Sequence, residues 1–230
     1  MKRIVVFAIV LGLVLCGCAS PDVNQPVDVM VPAQNSESAV PEVEPSLTPE
    51  PTVAPIPDPV TYTGSGDDVI EIAPFSDTLY VFEISGNDAE RNFVVKTYNG
   101  DGEYGELLVN TLDKYHGITM DSNFDVSAIE VKATGDWTIT QRSIYDLDVM
   151  QAGQTYNGTG DSIVLVKGGG STATITGNDA ERNFVVRAYN AQGRRSLLVN
   201  ELDKYSGKVV AKDPIIFHIS AVGDWSITLN

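Results

Sequence analysis

The sequence predicts an all-β protein, with two tandem repeated β-sandwich domains of jelly-roll-like type after a disordered, proline-rich linker. Three observations support this prediction. A ten-residue stretch recurs unchanged 91 positions later, short β-rich runs alternate with turn residues, and prolines are concentrated before residue 62. In chain order, the predicted segments are a signal peptide (1–17), a linker (18–61), repeat 1 (62–141), a short linker (142–152) and repeat 2 (153–230).

The first residues have the layout of a secretory signal. A basic start, Met1 to Arg3, precedes an apolar run of 12 residues from Ile4 to Leu15 that only Gly12 interrupts. This run is too short for a transmembrane helix, which needs about 20 apolar residues. A charged start, a short apolar stretch and then small residues are typical of a signal peptide that is removed from the mature chain.

Residues 15–18, Leu-Cys-Gly-Cys, resemble the lipobox of bacterial lipoproteins. The resemblance implies cleavage before Cys18 and acylation of Cys18 with palmitate or a similar lipid. It implies a chain held on the extracytoplasmic face of the cell membrane. Cys16 fits the lipobox less well, and an ordinary signal peptide that contains cysteines is the alternative. Since Cys16 and Cys18 are the only cysteines, no disulfide is available to the mature domains.

Residues 19–61 have the composition of a spacer. They contain ten of the 12 prolines and seven acidic residues, with no lysine or arginine. Such a segment buries too little apolar surface to offset its ordering entropy. Proline favours extended polyproline II, so the segment could reach roughly 130 Å. A proline-rich ligand for a partner domain is less favoured, because the prolines form no repeated P-x-x-P pattern.

The rest of the chain is internally repeated. Residues 86–95, Gly-Asn-Asp-Ala-Glu-Arg-Asn-Phe-Val-Val, recur as residues 177–186. Three shorter motifs, Leu-Leu-Val-Asn, Leu-Asp-Lys-Tyr and Gly-Asp-Trp, also recur in the same order. This arrangement predicts one structural unit used twice.

Each repeat has the pattern of a sandwich, with short β-rich runs separated by Gly, Asn and Asp about every 8–12 residues. In repeat 2 the predicted strands are 155–158, 162–167, 171–177, 182–190, 195–200, 207–211, 215–222 and 224–229. Alternation places Phe217 and Ile219 inside, and His218 on the outward, solvent-facing side. Trp137 is expected in the core, and residues 168–170, Gly-Gly-Gly, are expected to form a hairpin turn.

Residues 62–140 and 156–229 resemble the small repeated β-sandwich modules of bacterial secreted proteins and surface lipoproteins. The resemblance rests on an opening Gly-x-Gly-Asp strand, a central Asn-Phe-x-Val strand, Leu-Leu-Val-Asn before a Tyr-Gly turn, and a closing Gly-Asp-Trp strand. It implies the fold and an extracytoplasmic location, and it implies no particular activity.

No enzyme is predicted. The two histidines, His116 and His218, are replaced in the other repeat by Ser206 and Glu130, so no repeated acid–base or nucleophile set exists. No glycine-rich phosphate loop leads into a helix. The net charge of −16 disfavours nucleic acid as a partner.

Carboxylates of the repeated turn are the candidate metal ligands. Asp88 and Glu90 in repeat 1, and Asp179 and Glu181 in repeat 2, could hold a structural Ca²⁺, which prefers clustered oxygens. Alternatively, the arginine that follows each turn, Arg91 or Arg182, pairs with the same carboxylates. No other cofactor is expected.

Tyr115 and Tyr205 are the candidate ligand-binding residues, because each precedes a glycine turn and could stack on a sugar. Packing over one end of the sandwich is the alternative. The two repeats also differ in charge, with net −11 for residues 62–141 and +1 for residues 153–230. Acidic repeat 1 could therefore dock on repeat 2 near Arg194 and Arg195, although drift of solvated surfaces would give the same contrast.

Together these features predict a non-catalytic cell-envelope lipoprotein whose β-sandwiches bind a surface polysaccharide or a protein partner. The alternatives are a structural or accessory lipoprotein that supports an envelope complex, and calcium-dependent carbohydrate binding.

Overall fold

A computed structural model describes residues 56–75 and 79–230. The predicted signal peptide, Cys18 and the linker as far as residue 55 lie outside the described residues. The linker prediction extends to residue 61, whereas the first strand already begins at Val60.

Repeat 1 contains eight strands that pair into two antiparallel sheets of four. The sheet orders are β1-β8-β3-β6 and β2-β7-β4-β5, which is the strand arrangement of a jelly roll. The strands are β1 (Val60–Ser65), β2 (Asp68–Glu71), β3 (Tyr80–Gly86), β4 (Phe93–Tyr98), β5 (Tyr104–Thr111), β6 (Tyr115–Thr119), β7 (Ala128–Lys132) and β8 (Asp136–Ser143).

Repeat 2 has the same strand order, with β10-β17-β12-β15 in one sheet and β14-β13-β16-β11 in the other. The strands are β10 (Thr155–Thr159), β11 (Ser162–Lys167), β12 (Thr172–Gly177), β13 (Phe184–Asn190), β14 (Arg195–Glu201), β15 (Tyr205–Val210), β16 (Pro214–Ser220) and β17 (Asp224–Leu229). The all-β sandwich prediction is confirmed, and the predicted strand bounds of repeat 2 agree to within two residues.

The segment between the repeats is structured. A 3₁₀ turn, η1 (Ile144–Asp146), leads into β9 (Val149–Gln151), which pairs in parallel with β11 and adds a fifth strand to that sheet. Residues 142–152 are therefore built into the fold rather than left as a free linker. The described residues of both repeats lie in one compact unit.

Alternating apolar residues from both sheets fill each sandwich. In repeat 1 the buried cluster includes Phe82, Ile84, Phe93 and Val131, and repeat 2 has a corresponding cluster around Ile175, Phe184, Phe217 and Ile219. The tryptophans are in the core as predicted, with Trp137 2% and Trp225 3% exposed. Each tryptophan also donates from its indole N–H to a backbone carbonyl, that of Gly66 or Gly160.

The expected hairpin at residues 168–170 is wrong. These glycines connect β11 to β12, and the two strands belong to different sheets. The chain crosses from one sheet to the other at these residues. Position 170 requires glycine, because a Cβ there would lie 2.5 Å from the side chain of Leu229.

In the part of the chain that the structure covers, no helix has both the length and the apolar character needed to cross a bilayer.

Candidate functional site

The repeated ten-residue motif forms a turn that is organised by a buried asparagine. The Asn87 amide donates to the backbone oxygens of Arg91 (2.7 Å) and Asp113 (2.9 Å), and its side-chain oxygen accepts from the Arg91 N–H. Asn178 makes the corresponding three bonds in repeat 2. Both asparagines have a positive φ, 64° and 66°, which Asn tolerates better than most residues. The strict repetition of this motif is thus explained by structure.

The candidate metal carboxylates lie on this turn and are exposed. Lys114 Nζ lies 2.7 Å from Asp88 Oδ1, and Lys204 Nζ lies 2.9 Å from Asp179 Oδ1. For the two aspartates, pairing with the following arginine is therefore wrong, because the lysines of the Leu-Asp-Lys-Tyr motif contact Asp88 and Asp179 instead. These exposed pairs contribute little to stability. Glu90 and Glu181 form no ion pair within 4.0 Å with any described residue.

This donor set is a poor fit for Ca²⁺ as it stands. An ammonium group already occupies one side of each aspartate, and the asparagine oxygen is held by a backbone N–H. Within residues 56–75 and 79–230, no three His, Cys, Asp or Glu side chains are grouped as metal ligands. Calcium at Asp88 and Glu90, or at Asp179 and Glu181, stays a prediction that requires the lysine to move away.

Tyr115 joins the two repeats. Its hydroxyl donates to Asp161 Oδ2 at 2.7 Å, and Asp161 Oδ1 accepts from the Ala221 N–H at 2.8 Å. Burial raises the pKa of Tyr115, and the neighbouring Asp161 raises it further. Burial also raises the pKa of Asp161, against the opposing effect of the hydrogen bond from Tyr115. Tyr115 is therefore a contact between the sandwiches and not a free aromatic surface.

Repeat 2 covers the edge of repeat 1 at the same place. The Ile118 N–H, on edge strand β6, donates to the Asp161 backbone oxygen at 2.9 Å. Behind this contact lies an apolar cluster shared by both repeats, which consists of Val81, Met120, Ile144, Leu147, Ile163, Tyr189 and Ile216. Docking of the repeats thus rests on apolar burial and on Asp161. Among the described residues, Arg194 and Arg195 form no ion pair within 4.0 Å.

His218 is buried, and its predicted place on a solvent-facing side is wrong. It is 5% exposed, and burial together with Arg187 and Arg195 lowers its pKa to about 3. Alternation correctly placed His218 on the other face of the sheet from Phe217 and Ile219. Repeat 1 covers this outer face, so His218 is not exposed to solvent. Its Nε2 lies 3.4 Å from Thr119 Oγ1 in repeat 1, and its Nδ1 has no partner in the described part of the chain.

Tyr205 differs from its counterpart Tyr115 at the hydroxyl but not at the ring, since Tyr115 packs on Phe93 with centroids 6.2 Å apart. The Tyr205 ring packs on Phe184 with centroids 6.3 Å apart, and its hydroxyl makes no hydrogen bond to any described residue. Tyr205 is one of the residues that line a groove of about 690 Å³ on repeat 2. We call this the repeat 2 groove.

The repeat 2 groove is lined by hydroxyl and amide groups. The strand register aligns Asn157 with Ser226, Ser226 with Thr176, and Thr176 with Ser206, so these four lie in one row across the sheet. Thr176 Oγ1 and Ser226 Oγ are 2.7 Å apart. Asp179 and Lys204 line the groove as well. The row offers several donors and acceptors on an open surface.

A second groove, of about 490 Å³, lies between the repeats and is called here the inter-repeat groove. It is lined by Glu106, Tyr115 and Lys114 from repeat 1 and by Asp161, Arg187, Arg195 and His218 from repeat 2.

Three residues with a structural role in these sites, Asp161, Asn87 and Arg187, were not identified from the sequence. Asp161 follows a glycine, as many turn residues do, and Asn87 lies beside more conspicuous carboxylates. Arg187 is a single arginine within a strand, which no motif marks. The replacement of Glu130 by His218 was visible as a difference between the repeats. This replacement was the one signal in the sequence that the face of repeat 2 carrying His218 differs in environment from the corresponding face of repeat 1.

Comparison with protein-family models and with curated protein sequences finds no match. Among solved structures, the chain is similar to the regulatory subunit of a cAMP-independent protein kinase A from Trypanosoma cruzi bound to guanosine. The identity is 9%, with 74% of this chain and 72% of that chain covered, and the TM-score is 0.22. A likeness this low carries no argument about the function of this chain.

Proposed function

We propose that the protein is a non-catalytic bacterial envelope lipoprotein that binds a surface polysaccharide through the repeat 2 groove. The observation that carries this proposal is the row of Asn157, Ser226, Thr176 and Ser206 in a groove of about 690 Å³.

The chemistry of the row suits sugar hydroxyls. Each hydroxyl or amide both donates and accepts, as a sugar hydroxyl does. A single such bond contributes only about 1 kcal/mol net, because both partners leave water to make it. Useful affinity then comes from several bonds made at once along a polymer.

The rest of the chain supports a place on the envelope. The lipobox at Cys18 and a spacer of roughly 130 Å would hold the sandwiches away from the membrane, within reach of wall or capsule polymers. This part of the proposal depends on the sequence alone.

Binding of the full-length protein to purified wall polysaccharides and to a glycan array tests the proposal. Ser226→Leu would fill the groove, and Thr138→Leu makes the same change at the corresponding position of repeat 1. We expect Ser226→Leu to weaken binding at least tenfold and Thr138→Leu to leave it unchanged, with similar melting temperatures for both variants.

No binding to any glycan would overturn the proposal, and so would equal losses in the two variants. Parallel titrations with added Ca²⁺ and with a chelator separate simple from calcium-dependent carbohydrate binding.

A second candidate function is supported by the apolar cluster between the repeats. A two-domain unit joined in this way could serve as a structural or accessory part of an envelope complex. Absence of glycan binding would favour this role.

A further inference from the structure

Two arginines in the inter-repeat groove lack a carboxylate partner. Arg187 on β13 is half-buried, and Arg195 on β14 is exposed. Both line the groove, and no carboxylate oxygen of a described residue lies within 4.0 Å of either. Half-buried cations in proteins are normally paired, because desolvation is otherwise unfavourable.

In repeat 1 the position equivalent to Arg187 is occupied by Lys96, which has a carboxylate partner. The register pairs Lys96 with Glu130 in repeat 1 and Arg187 with His218 in repeat 2, so the two sites are equivalent. In repeat 1, Lys96 Nζ lies 3.8 Å from Glu130 Oε2, and the Tyr98 hydroxyl donates to the same oxygen at 2.7 Å. A carboxylate thus completes the site in repeat 1.

In repeat 2 that carboxylate is replaced by a neutral side chain. His218 is buried, and one of its ring nitrogens has no partner among the described residues. Three carboxylates line the groove, those of Glu106, Asp113 and Asp161, and none lies within 4.0 Å of either arginine. Glu106 Oε1 accepts hydrogen bonds from the hydroxyl and the N–H of Ser122, and Asp161 accepts from the Tyr115 hydroxyl and the Ala221 N–H. The two arginines therefore face an open groove without a dedicated anion.

We propose that the inter-repeat groove binds an oxyanion, the carboxylate or phosphate group of a ligand, between Arg187 and Arg195. The oxyanion supplies the negative charge that the Glu130 carboxylate supplies in repeat 1. Guanidinium groups suit this role because their planar N–H donors match the oxygens of carboxylate and phosphate. At about 490 Å³ the groove exceeds a lone phosphate ion and accommodates a sugar acid or a sugar phosphate.

This site is separate from the repeat 2 groove and does not depend on it. It gives the protein a local preference for anions despite a net charge of −16. An acidic residue of a polymer and a free anionic metabolite share the same chemistry, and the choice of probes distinguishes them.

The test is calorimetric titration of the full-length protein with glucuronate, glucose 1-phosphate, inorganic phosphate and, as the neutral probe, glucose. We expect at least one oxyanion to bind and glucose to bind at least tenfold more weakly. Binding of a sugar acid or sugar phosphate alone would assign a sugar-borne group, and binding of inorganic phosphate would assign the free anion. If none of the oxyanions binds, or if glucose binds equally well, the proposal is wrong.

Variants locate the site. Arg187→Gln and Arg195→Gln should each weaken oxyanion binding at least tenfold, whereas Arg182→Gln, on the exposed turn of the same repeat, should not. His218→Glu supplies the carboxylate of repeat 1 in place of the ligand, so it should abolish oxyanion binding while the protein stays folded by circular dichroism. Equal losses in Arg182→Gln, or unchanged binding in His218→Glu, would contradict the assignment.

Discussion

The two repeats have the same strand order and the same asparagine-centred turn, but they use corresponding surfaces differently. In repeat 1 the edge strand β6 is covered by repeat 2, and Tyr115 is bonded to Asp161. In repeat 2 the equivalent edge strand β15 is not covered in this way, and the hydroxyl of Tyr205 has no partner among the described residues. The shared residues therefore build the scaffold, whereas the residues that differ between the repeats decide what each face contacts.

Single positions show how the difference arises. Met120 in repeat 1 is fully buried in the shared apolar cluster, whereas Val210 at the corresponding position of repeat 2 is 76% exposed. Val81 likewise corresponds to Thr172, and Ile118 corresponds to Lys208. The corresponding face of repeat 2 is thus less apolar than the docking face of repeat 1 and is exposed.

Among the substitutions, we expect the strongest loss of stability at two glycines of the shared scaffold. A Cβ on Gly64 or on Gly158 would lie 2.2 Å from the ring of Trp137 or Trp225. We therefore expect Gly64→Ala and Gly158→Ala each to lower the free energy of unfolding by about 3 kcal/mol, measured by denaturant titration. Gly135→Ala is the control, because nothing lies within 4 Å of its Cβ. Tolerance of the change in one repeat alone would show that the scaffolds differ.

A pair of substitutions compares the covered face of repeat 1 with the exposed face of repeat 2. Met120→Ala removes buried apolar atoms from the interface, so we expect a loss of about 2–3 kcal/mol. Val210→Ala should change stability by less than about 0.5 kcal/mol, because the side chain is exposed. The measurement is thermal and denaturant unfolding of both full-length variants. If the two variants were equally stable, the interface would not contribute to the fold.

The third comparison concerns the pH range over which His218 and Glu130 contribute to stability. The folded-state pKa of His218, about 3, lies below its ordinary value of 6.5. Its neutral form therefore stabilises the fold fully above pH 6.5, and this stabilisation declines as the pH falls from 6.5 towards 3, by at most about 1.4 kcal/mol per pH unit. The pKa of Glu130 is lowered instead, chiefly by the hydrogen bond from Tyr98, so its contribution is lost only below about pH 4.5.

The pH dependence of unfolding free energy in the parent and in His218→Gln isolates this contribution. The difference cancels the opposing effect of Asp161, whose pKa is raised and whose protonation favours the fold at low pH. We expect the parent to lose stability relative to the variant between pH 6.5 and 4.5. Parallel curves over that range would mean that His218 is accessible to solvent.

Local patterns were sufficient for much of this structure. Period-two alternation and turn residues predicted the strands of repeat 2, and the faces of Trp137 and Ile129 follow from the same alternation. The bridging role of Asp161 could not be predicted, because it depends on how one repeat is placed on the other.

His218 shows the limit most clearly. Alternation tells which side of a sheet a residue occupies, but not whether another domain covers that side. The hairpin prediction for residues 168–170 is wrong for a similar reason, since a short glycine loop can join neighbouring strands or cross between sheets. The sequence offered Tyr115 and Tyr205 as equivalent candidates, whereas the partners of their hydroxyls differ because only Tyr115 lies at the inter-repeat contact.

The most direct test of a scaffold used twice with one covered edge is hydrogen exchange at two equivalent backbone amides. Ile118 donates across the interface to the Asp161 backbone oxygen, and Lys208 holds the same position on the uncovered edge of repeat 2. Nuclear magnetic resonance of the full-length protein should show strong protection at Ile118 and rapid exchange at Lys208, with Ile118 protection falling in Met120→Ala. Equal exchange at the two amides would contradict the account.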